Sequence, residues 1–148
     1  MWKTSVHPAF GDIDGLGHIN NCRLPMWFEL GREPVYGIFM PELDPTRVPL
    51  IIARITVDYV SQMKFGKDIE IRTYIKKVGR TSLTTYQEAY QQGILGAKGE
   101  TVLVHFDYAG QKTKQISEKE SAQLLKHLVD PENPNLRTRS GRFSPPGK

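Results

Sequence analysis

The feature that most constrains this chain is a change of hydrophobic period partway along it. Leu24, Trp27, Phe28, Gly31 and Val35 recur at helical spacing, one stripe of a 3.6-residue repeat. From Ile51 onward the repeat becomes two. Ile51, Ala53, Ile55, Val57 and Tyr59 alternate with Arg54, Thr56 and Asp58. Ile69, Ile71, Thr73 and Ile75 do the same against Glu70, Arg72 and Lys76, the pattern of half-buried strands. Two more runs follow, Ser82 to Gln91 and Leu95 to Tyr108. The links between them are Lys64-Phe65-Gly66-Lys67, Val78-Gly79-Arg80 and Gln92-Gly93. A parallel crossover needs a dozen residues or more, so links this short impose antiparallel neighbours.

The flanks complete the element order. Ser5 to Phe10 predicts a first short strand, ended by the glycine-rich turn Gly11 to Gly17. Pro25 is tolerated only in a first helical turn, so the helix starts near Asn20 to Cys22, with Asn20 or Asn21 as its N-cap. Pro34 kinks or ends that helix and Gly37 closes it. Ser117 opens a last helix, with Glu120 three residues on as a capping box and Leu124, Leu125 and Leu128 as its apolar positions. The expected class is α+β: strand, long helix, four antiparallel strands, short helix. One helix cannot cover both faces of a five-stranded sheet, and a second copy of the chain is the simplest cover for the remaining edge or face.

The 148 residues fit one domain, expected over 1–129. Residues 130–148 are rich in Pro, Asn, Arg, Ser and Gly. Leu136 and Phe143 cannot offset the ordering entropy of such a stretch, so it is expected as an extended or disordered tail. The single cysteine, Cys22, excludes an internal disulfide and a cysteine zinc site and reads as a small, partly buried thiol. No apolar run approaches the ~18–20 residues of a membrane span. Polar residues begin at Lys3, without the apolar region of a signal peptide, so a cytoplasmic setting is expected. Half of the net +4 charge lies from Asp130 onward, as Arg137, Arg139, Arg142 and Lys148 against Asp130 and Glu132. A charge this small and dispersed is no nucleic-acid stripe, but it suits an anionic small ligand.

The chemistry concentrates in Gly11-Asp12-Ile13-Asp14-Gly15-Leu16-Gly17-His18-Ile19-Asn20-Asn21. The glycines permit a tight turn between a strand and a helix start. Amide N–H groups at a helix start have no intrahelical partner and favour an anion. A carboxylate beside them could attack a carbonyl or activate water while those N–H groups hold the developing oxyanion. On the residues alone, Asp12 and Asp14 read equally as Asx-turn or capping residues, and His18 as a local hydrogen bonder.

With Phe10 before it, this segment resembles the signature of the 4-hydroxybenzoyl-CoA thioesterase-like branch of the hotdog superfamily: an aromatic, a small residue, Asp-x-Asp, two residues, then Gly-His-x-Asn-Asn. The similarity continues through Trp27-Phe28-Glu29, Gly31-Arg32-Glu33, Val57-Asp58-Tyr59, Phe65-Gly66-Lys67-Asp68, Val78-Gly79-Arg80-Thr81-Ser82 and Ala97-Lys98-Gly99-Glu100-Thr101-Val102-Leu103-Val104, covering roughly residues 4–128. It implies a hotdog fold, a long helix wrapped by a curved five-stranded antiparallel sheet, assembled as a homodimer or homotetramer with the site at a subunit interface. It implies hydrolysis of an acyl-CoA thioester, with Asp14 as the catalytic carboxylate, Asn21 near the oxyanion donor and His18 orienting substrate. No metal or cofactor is implied, coenzyme A being part of the substrate. The chain departs from its relatives in Ser61-Gln62-Met63-Lys64, where several carry a proline, and in Cys22-Arg23-Leu24, where many carry an aromatic. An acyl-carrier-protein thioesterase and a non-catalytic acyl-CoA-binding module are the alternatives.

For the phosphates of coenzyme A, Lys64, Lys67, Lys76 and Arg80 lie in or beside inter-strand links. Arg80 and Ser82 are the first choice by resemblance, because relatives often place nucleotide contacts in that turn. Arginine also suits bidentate phosphate contact. Glu29 is expected to pair with Arg32 at i+3, Asp12 to shape the turn, and His105 to serve packing or a dimer contact.

Overall fold

The computed structural model describes residues 1–132; the tail expected from Asp130 lies almost wholly outside the described residues. Strands β1 (Trp2–Val6), β2 (Leu50–Tyr59), β3 (Ile69–Val78), β4 (Ser82–Gln91), β5 (Ile94–Asp107) and the short β6 (Lys112–Thr113) form one sheet. Its order is β1-β3-β4-β5-β2, every pairing is antiparallel, and β6 adds to the end of β5. Helices α1 (Arg23–Gly31) and α2 (Glu33–Phe39) lie on one face and α3 (Glu118–Leu125) beside α2. This is the hotdog arrangement expected, with two boundaries moved and one strand added. The first strand is Trp2–Val6 rather than Ser5 to Phe10, because Phe10–Asp12 closes into a 3-10 turn. The helix continues past Gly37 to Phe39. A sixth short strand appears.

The long helix is broken, and the break has a cause. Pro34 supplies no N–H, so the ladder stops at Arg32 and restarts as α2 with Pro34 in its first turn. The helix N-cap is Cys22, not an asparagine; Asn20 acts one step earlier, its Oδ1 accepting from the Cys22 N–H at 2.9 Å. Under the break lies a buried polar band. Gln87 Nε2 donates to Phe28 O (2.8 Å) and Thr73 Oγ1 (2.9 Å), and Thr73 Oγ1 donates to Gly31 O at 2.9 Å. Arg32, fully buried, donates from Nη1 to Gln87 Oε1 and Thr101 Oγ1, both at 3.1 Å. The sheet thus satisfies the last carbonyls of α1. The expected Glu29–Arg32 pair is not formed, because Arg32 turns inward to this band while Glu29 faces solvent.

The band separates two apolar clusters. Leu24, Trp27 and Phe28 of α1 pack on Ile69, Ile71, Ala89 and Ala97. Val35 of α2 and Leu124 of α3 pack on Ile75, Leu83 and Leu103. Gly31 lets α1 settle on the sheet: a Cβ there would stand 2.7 Å from Ile71 Cγ2 and 2.9 Å from Gln87 Nε2. The capping box of α3 forms as expected, with Glu120 N–H on Ser117 Oγ and Ser117 N–H on Glu120 Oε2.

Strand β2 differs most from its sequence pattern. It pairs only with β5, carries a bulge between Ile52 and Arg54, and exposes Ile51, Ile52, Ile55 and Tyr59. Period-two alternation marks faces suited to burial; it does not say that the same chain supplies the cover.

Candidate active site

The Asp12–Asn20 segment folds as a narrow loop against the start of α1. Ile13 and Ile19 form an antiparallel bridge, and the Asp14 N–H donates to His18 O at 2.8 Å. Gly17 closes the loop at φ +77°, a left-handed backbone that glycine adopts without cost. Inside this turn the Asp14 carboxylate accepts from two amides through one oxygen: Oδ1 takes Leu16 N–H at 2.8 Å and His18 N–H at 3.1 Å. Among the described residues Oδ2 has no such partner, and the side chain is exposed. The two amides fix the direction of the carboxylate.

Asp12 does different work. Its Oδ2 accepts the Ala9 N–H at 2.7 Å, its Oδ1 meets Arg23 Nε at 3.0 Å, and its carbonyl accepts Asn20 N–H at 2.8 Å. Arg23 Nη2 also donates to Gly11 O at 3.1 Å. Arg23 therefore clamps the loop to the first turn of α1.

At that helix start, Asn20 consumes two amides. Its carbonyl takes Arg23 N–H at 3.0 Å and its side chain takes Cys22 N–H. The Asn21 N–H has no acceptor among the described residues. The Asn21 carbonyl accepts from the Tyr59 hydroxyl at 2.6 Å, which pins that peptide. Partial burial, with Cys22 beside it, raises the Tyr59 phenol above its ordinary pKa and keeps the proton it donates. Cys22, expected to be partly buried, is exposed.

A cavity of about 240 Å³ opens here between His18, Asn21, Leu24, Tyr59 and Val60. Asp14 stands on the loop above it and does not line it. A neighbouring cavity of about 390 Å³ shares Ser61, Gln62 and Met63 and brings in Lys64 and Lys67. The loops are joined, since His18 bridges Lys64 and Ile19 N–H donates to Met63 O at 2.8 Å. The protomer thus gathers Asp14, His18, Asn21, Lys64 and Lys67 at one end of the sheet.

Arg80 and Ser82 are not brought there. They sit in the β3–β4 turn, at the far end of β4, roughly 30 Å away along the strand. In that turn Arg80 O accepts Ile116 N–H and Ser82 O accepts Gly79 N–H. His105, close by, is buried and packs edge-on to Phe39; burial lowers its pKa. Lys76, on the outer face, pairs with Glu100. A third cavity, about 720 Å³, lies between the helices and the Leu50–Ile52 end of β2, lined by Met26, Leu30, Leu50 and Ile52 and by Glu29 and Glu33. Among the described residues no cluster of His, Cys, Asp and Glu could hold a metal ion, and no helix is long and apolar enough to cross a membrane.

Sequence reading passed over Arg23 and Tyr59. Arg23 stood out as a departure from relatives, and its pairing with Asp12 was the missed signal. The role of Tyr59 depends on a contact 38 residues away, which no local pattern encodes.

With a carboxylate held on a turn beside a helix start, on a hotdog sheet, the arrangement defines a class. Residues 8–124 match the model of the Thioesterase-like superfamily, and the chain belongs to that family. Among solved structures it is similar to a protein of Bacillus stearothermophilus described as a predicted thioesterase, at 38% identity and TM-score 0.84, covering 88% of this chain and 98% of that one. It is also similar to a Thermus thermophilus thioesterase complexed with coenzyme A and Zn, at 27% identity and TM-score 0.73, covering 82% and 90%. A gentisyl-coenzyme A thioesterase shares the fold at 17% identity and TM-score 0.70, covering 83% and 99%. No curated protein matches the chain in sequence.

Proposed function

We propose that this protein hydrolyses acyl-coenzyme A thioesters to the free acid and coenzyme A, with Asp14 as the catalytic carboxylate. The observation that carries the reading is the Asp14 turn. One carboxylate oxygen is fixed by two amides and the other is left open, beside a helix start whose Asn21 peptide is held by Tyr59. Oδ2 attacks the thioester carbon or removes a proton from water. The Asn21 N–H stabilises the oxyanion that develops, and His18, on the cavity wall, orients the thioester. The thiolate of coenzyme A then leaves; in the first route water cleaves the acyl anhydride formed on Asp14, releasing the free acid and restoring the carboxylate. That two solved relatives are described as complexes with coenzyme A supports the choice of carrier.

The functional unit in this reading is a homodimer formed along β2. Arg54 and Asp58 lie on one face of that edge, so antiparallel self-pairing sets each Arg54 near the partner strand's opposite charge. The same two-fold places one copy's Leu50–Ile52 end, with its large apolar cavity, beside the Tyr59–Val60 end of the other. The acyl group then enters a pocket that no single protomer completes.

Release of free thiol from a panel of aromatic, short-chain and long-chain acyl-CoAs tests the reading. Turnover of at least one member is expected. Tight binding of the whole panel without turnover would instead identify a non-catalytic binding module, and hydrolysis confined to acyl carrier protein would move the substrate class.

A further inference from the structure

The Asp12–Asn20 loop leans on a second loop, residues 60–67, which links β2 to β3. That second loop rests in turn on the β4–β5 hairpin. Val60 and Ser61 N–H both donate to Gly96 O, at 2.8 and 3.0 Å, and Ser61 Oγ donates to Leu95 O at 2.7 Å. Met63 is buried, and its sulfur occupies the space that a Cβ on Gly96 would need. The hairpin is a stiff support. Gln92 and Gly93 turn it with φ +51° and +78°, the two-residue geometry that matches strand twist.

Further along the second loop the support is one side chain. Gln91, the last residue of β4, is 9% exposed. Its Oε1 accepts Lys64 N–H at 2.8 Å, and its Nε2 donates to Lys64 O at 2.7 Å and Lys67 O at 2.9 Å. The Lys64 N–H belongs to the same peptide group as Met63 O, and Met63 O accepts Ile19 N–H at 2.8 Å. The Ile19 N–H belongs to the same peptide group as His18 O, and His18 O accepts Asp14 N–H at 2.8 Å. An unbroken chain of three hydrogen bonds through two peptide groups thus joins Gln91 to the backbone of Asp14. Such chains strengthen one another by polarisation. The chain also sets the carboxylate, because the His18 N–H donates to Asp14 Oδ1 at 3.1 Å. Arg23 holds the same turn from the α1 side, at Asp12 and Gly11.

We infer that Gln91 is a positioning residue for the Asp14 carboxylate: by fixing the Met63–Lys64 peptide it fixes the His18–Ile19 peptide, and with it the place and direction of Asp14. The second loop is already attached by Gly96, Leu95 and the packing of Met63. What Gln91 adds is the setting of one peptide plane, which the chain passes on. The inference rests on Asp14 being the carboxylate that acts, as proposed above, and not on which acyl group or carrier is cleaved.

The test measures kcat and KM for one acyl-CoA in the full chain and in the variants Gln91→Leu, Gln91→Asn and Thr73→Val. Thr73 Oγ1 donates to Gly31 O under the helix break. Thr73→Val therefore loses a buried hydrogen bond away from both loops and reports what lost stability alone does. Gln91→Leu is expected to lower kcat about tenfold while KM changes less than about threefold, since a misplacement of about 1 Å can cost on the order of a hundredfold. Gln91→Asn, one methylene short, is expected to lower kcat about threefold, and it decides by the same criteria if Gln91→Leu does not fold. Thr73→Val should leave kcat per folded molecule unchanged. An unaltered kcat in folded Gln91→Leu overturns the proposal. So does a change in KM alone, or an equal loss of kcat in Thr73→Val. If the unaltered protein cleaves no thioester, the catalytic reading of Asp14 fails. Amide hydrogen exchange then still decides the positioning. Exchange at Asp14 and Ile19 faster by about tenfold in Gln91→Leu and unchanged in Thr73→Val upholds the chain; unchanged exchange in Gln91→Leu refutes it.

Discussion

Replacing Arg23 by Ala removes the clamp that joins the Asp12–Asn20 loop to α1. The guanidinium meets Asp12 at 3.0 Å and Gly11 O at 3.1 Å, with side-chain exposures of 35% for Arg23 and 17% for Asp12. Fully exposed ion pairs are worth about 0–1 kcal/mol, and hydrogen bonds to charged groups about 1.5–3 kcal/mol. This pair lies between, with water screening the arginine side, so a loss of about 1–1.5 kcal/mol is expected. For a domain of this size that lowers Tm by roughly 2–6 °C. Activity should fall further than stability, because the same contacts set the loop that aims Asp14. A displacement of about 1 Å there costs on the order of tenfold to a hundredfold in rate. Urea unfolding of Arg23→Ala, Asp12→Asn and the double variant gives the coupling energy, expected near 1 kcal/mol, and acyl-CoA hydrolysis by the same proteins gives kcat. Additive stabilities within about 0.3 kcal/mol, together with an unchanged kcat, would refute the clamp.

Three further outcomes follow from particular contacts. His127 stacks on Trp2 at 3.6 Å, and burial first, then the Met1 ammonium and Lys126, lower its pKa from 6.5 to about 4. The folded state therefore resists a proton that the unfolded chain accepts. The stabilisation this represents is complete above about pH 6.5 and is lost as pH falls towards 4. After discounting for its partial exposure, about 1–2 kcal/mol should disappear in a urea series across that window, and His127→Gln should flatten the slope. Gly31→Ala should destabilise by about 1–2 kcal/mol despite the better helix propensity of alanine, because its Cβ meets Ile71 and Gln87; a neutral result in thermal unfolding would mean that α1 can lift off the sheet. Tyr59→Phe removes the hydroxyl from Asn21 O and should lower kcat about threefold to tenfold while costing no more than about 1 kcal/mol of stability.

Much of the fold was legible because it depends on local rules. Short links at Val78-Gly79-Arg80 and Gln92-Gly93 left antiparallel neighbours as the only choice, and the capping box at Ser117 and Glu120 marked α3 correctly. Pro34 announced a break in the helix; that Arg32 fills it with a buried guanidinium did not show, because its partners Gln87 and Thr101 lie 55 and 69 residues on. The same limit explains β2. Its apolar alternation was visible, but the chain covers only one edge of it. At the candidate site, the turn and the helix start could be placed from Gly17 and Pro25. The loop partners could not, since Gln91 and Tyr59 reach it through tertiary contacts. Arg80 and Ser82 were chosen by resemblance to relatives, and only the strand register shows them to be a full β4 length from Asp14 within one protomer.

The central claim is that the Asp14 carboxylate performs the chemistry, and Asp14→Asn tests it most directly. Asparagine keeps an oxygen for the Leu16 and His18 amides, so the loop and the unfolding curve should be preserved while the charge and basicity are lost. For an acyl-CoA that the unaltered protein turns over, kcat is expected to fall by about a thousandfold or more. Hydrolysis within about tenfold of the unaltered protein by a folded Asp14→Asn would contradict the account.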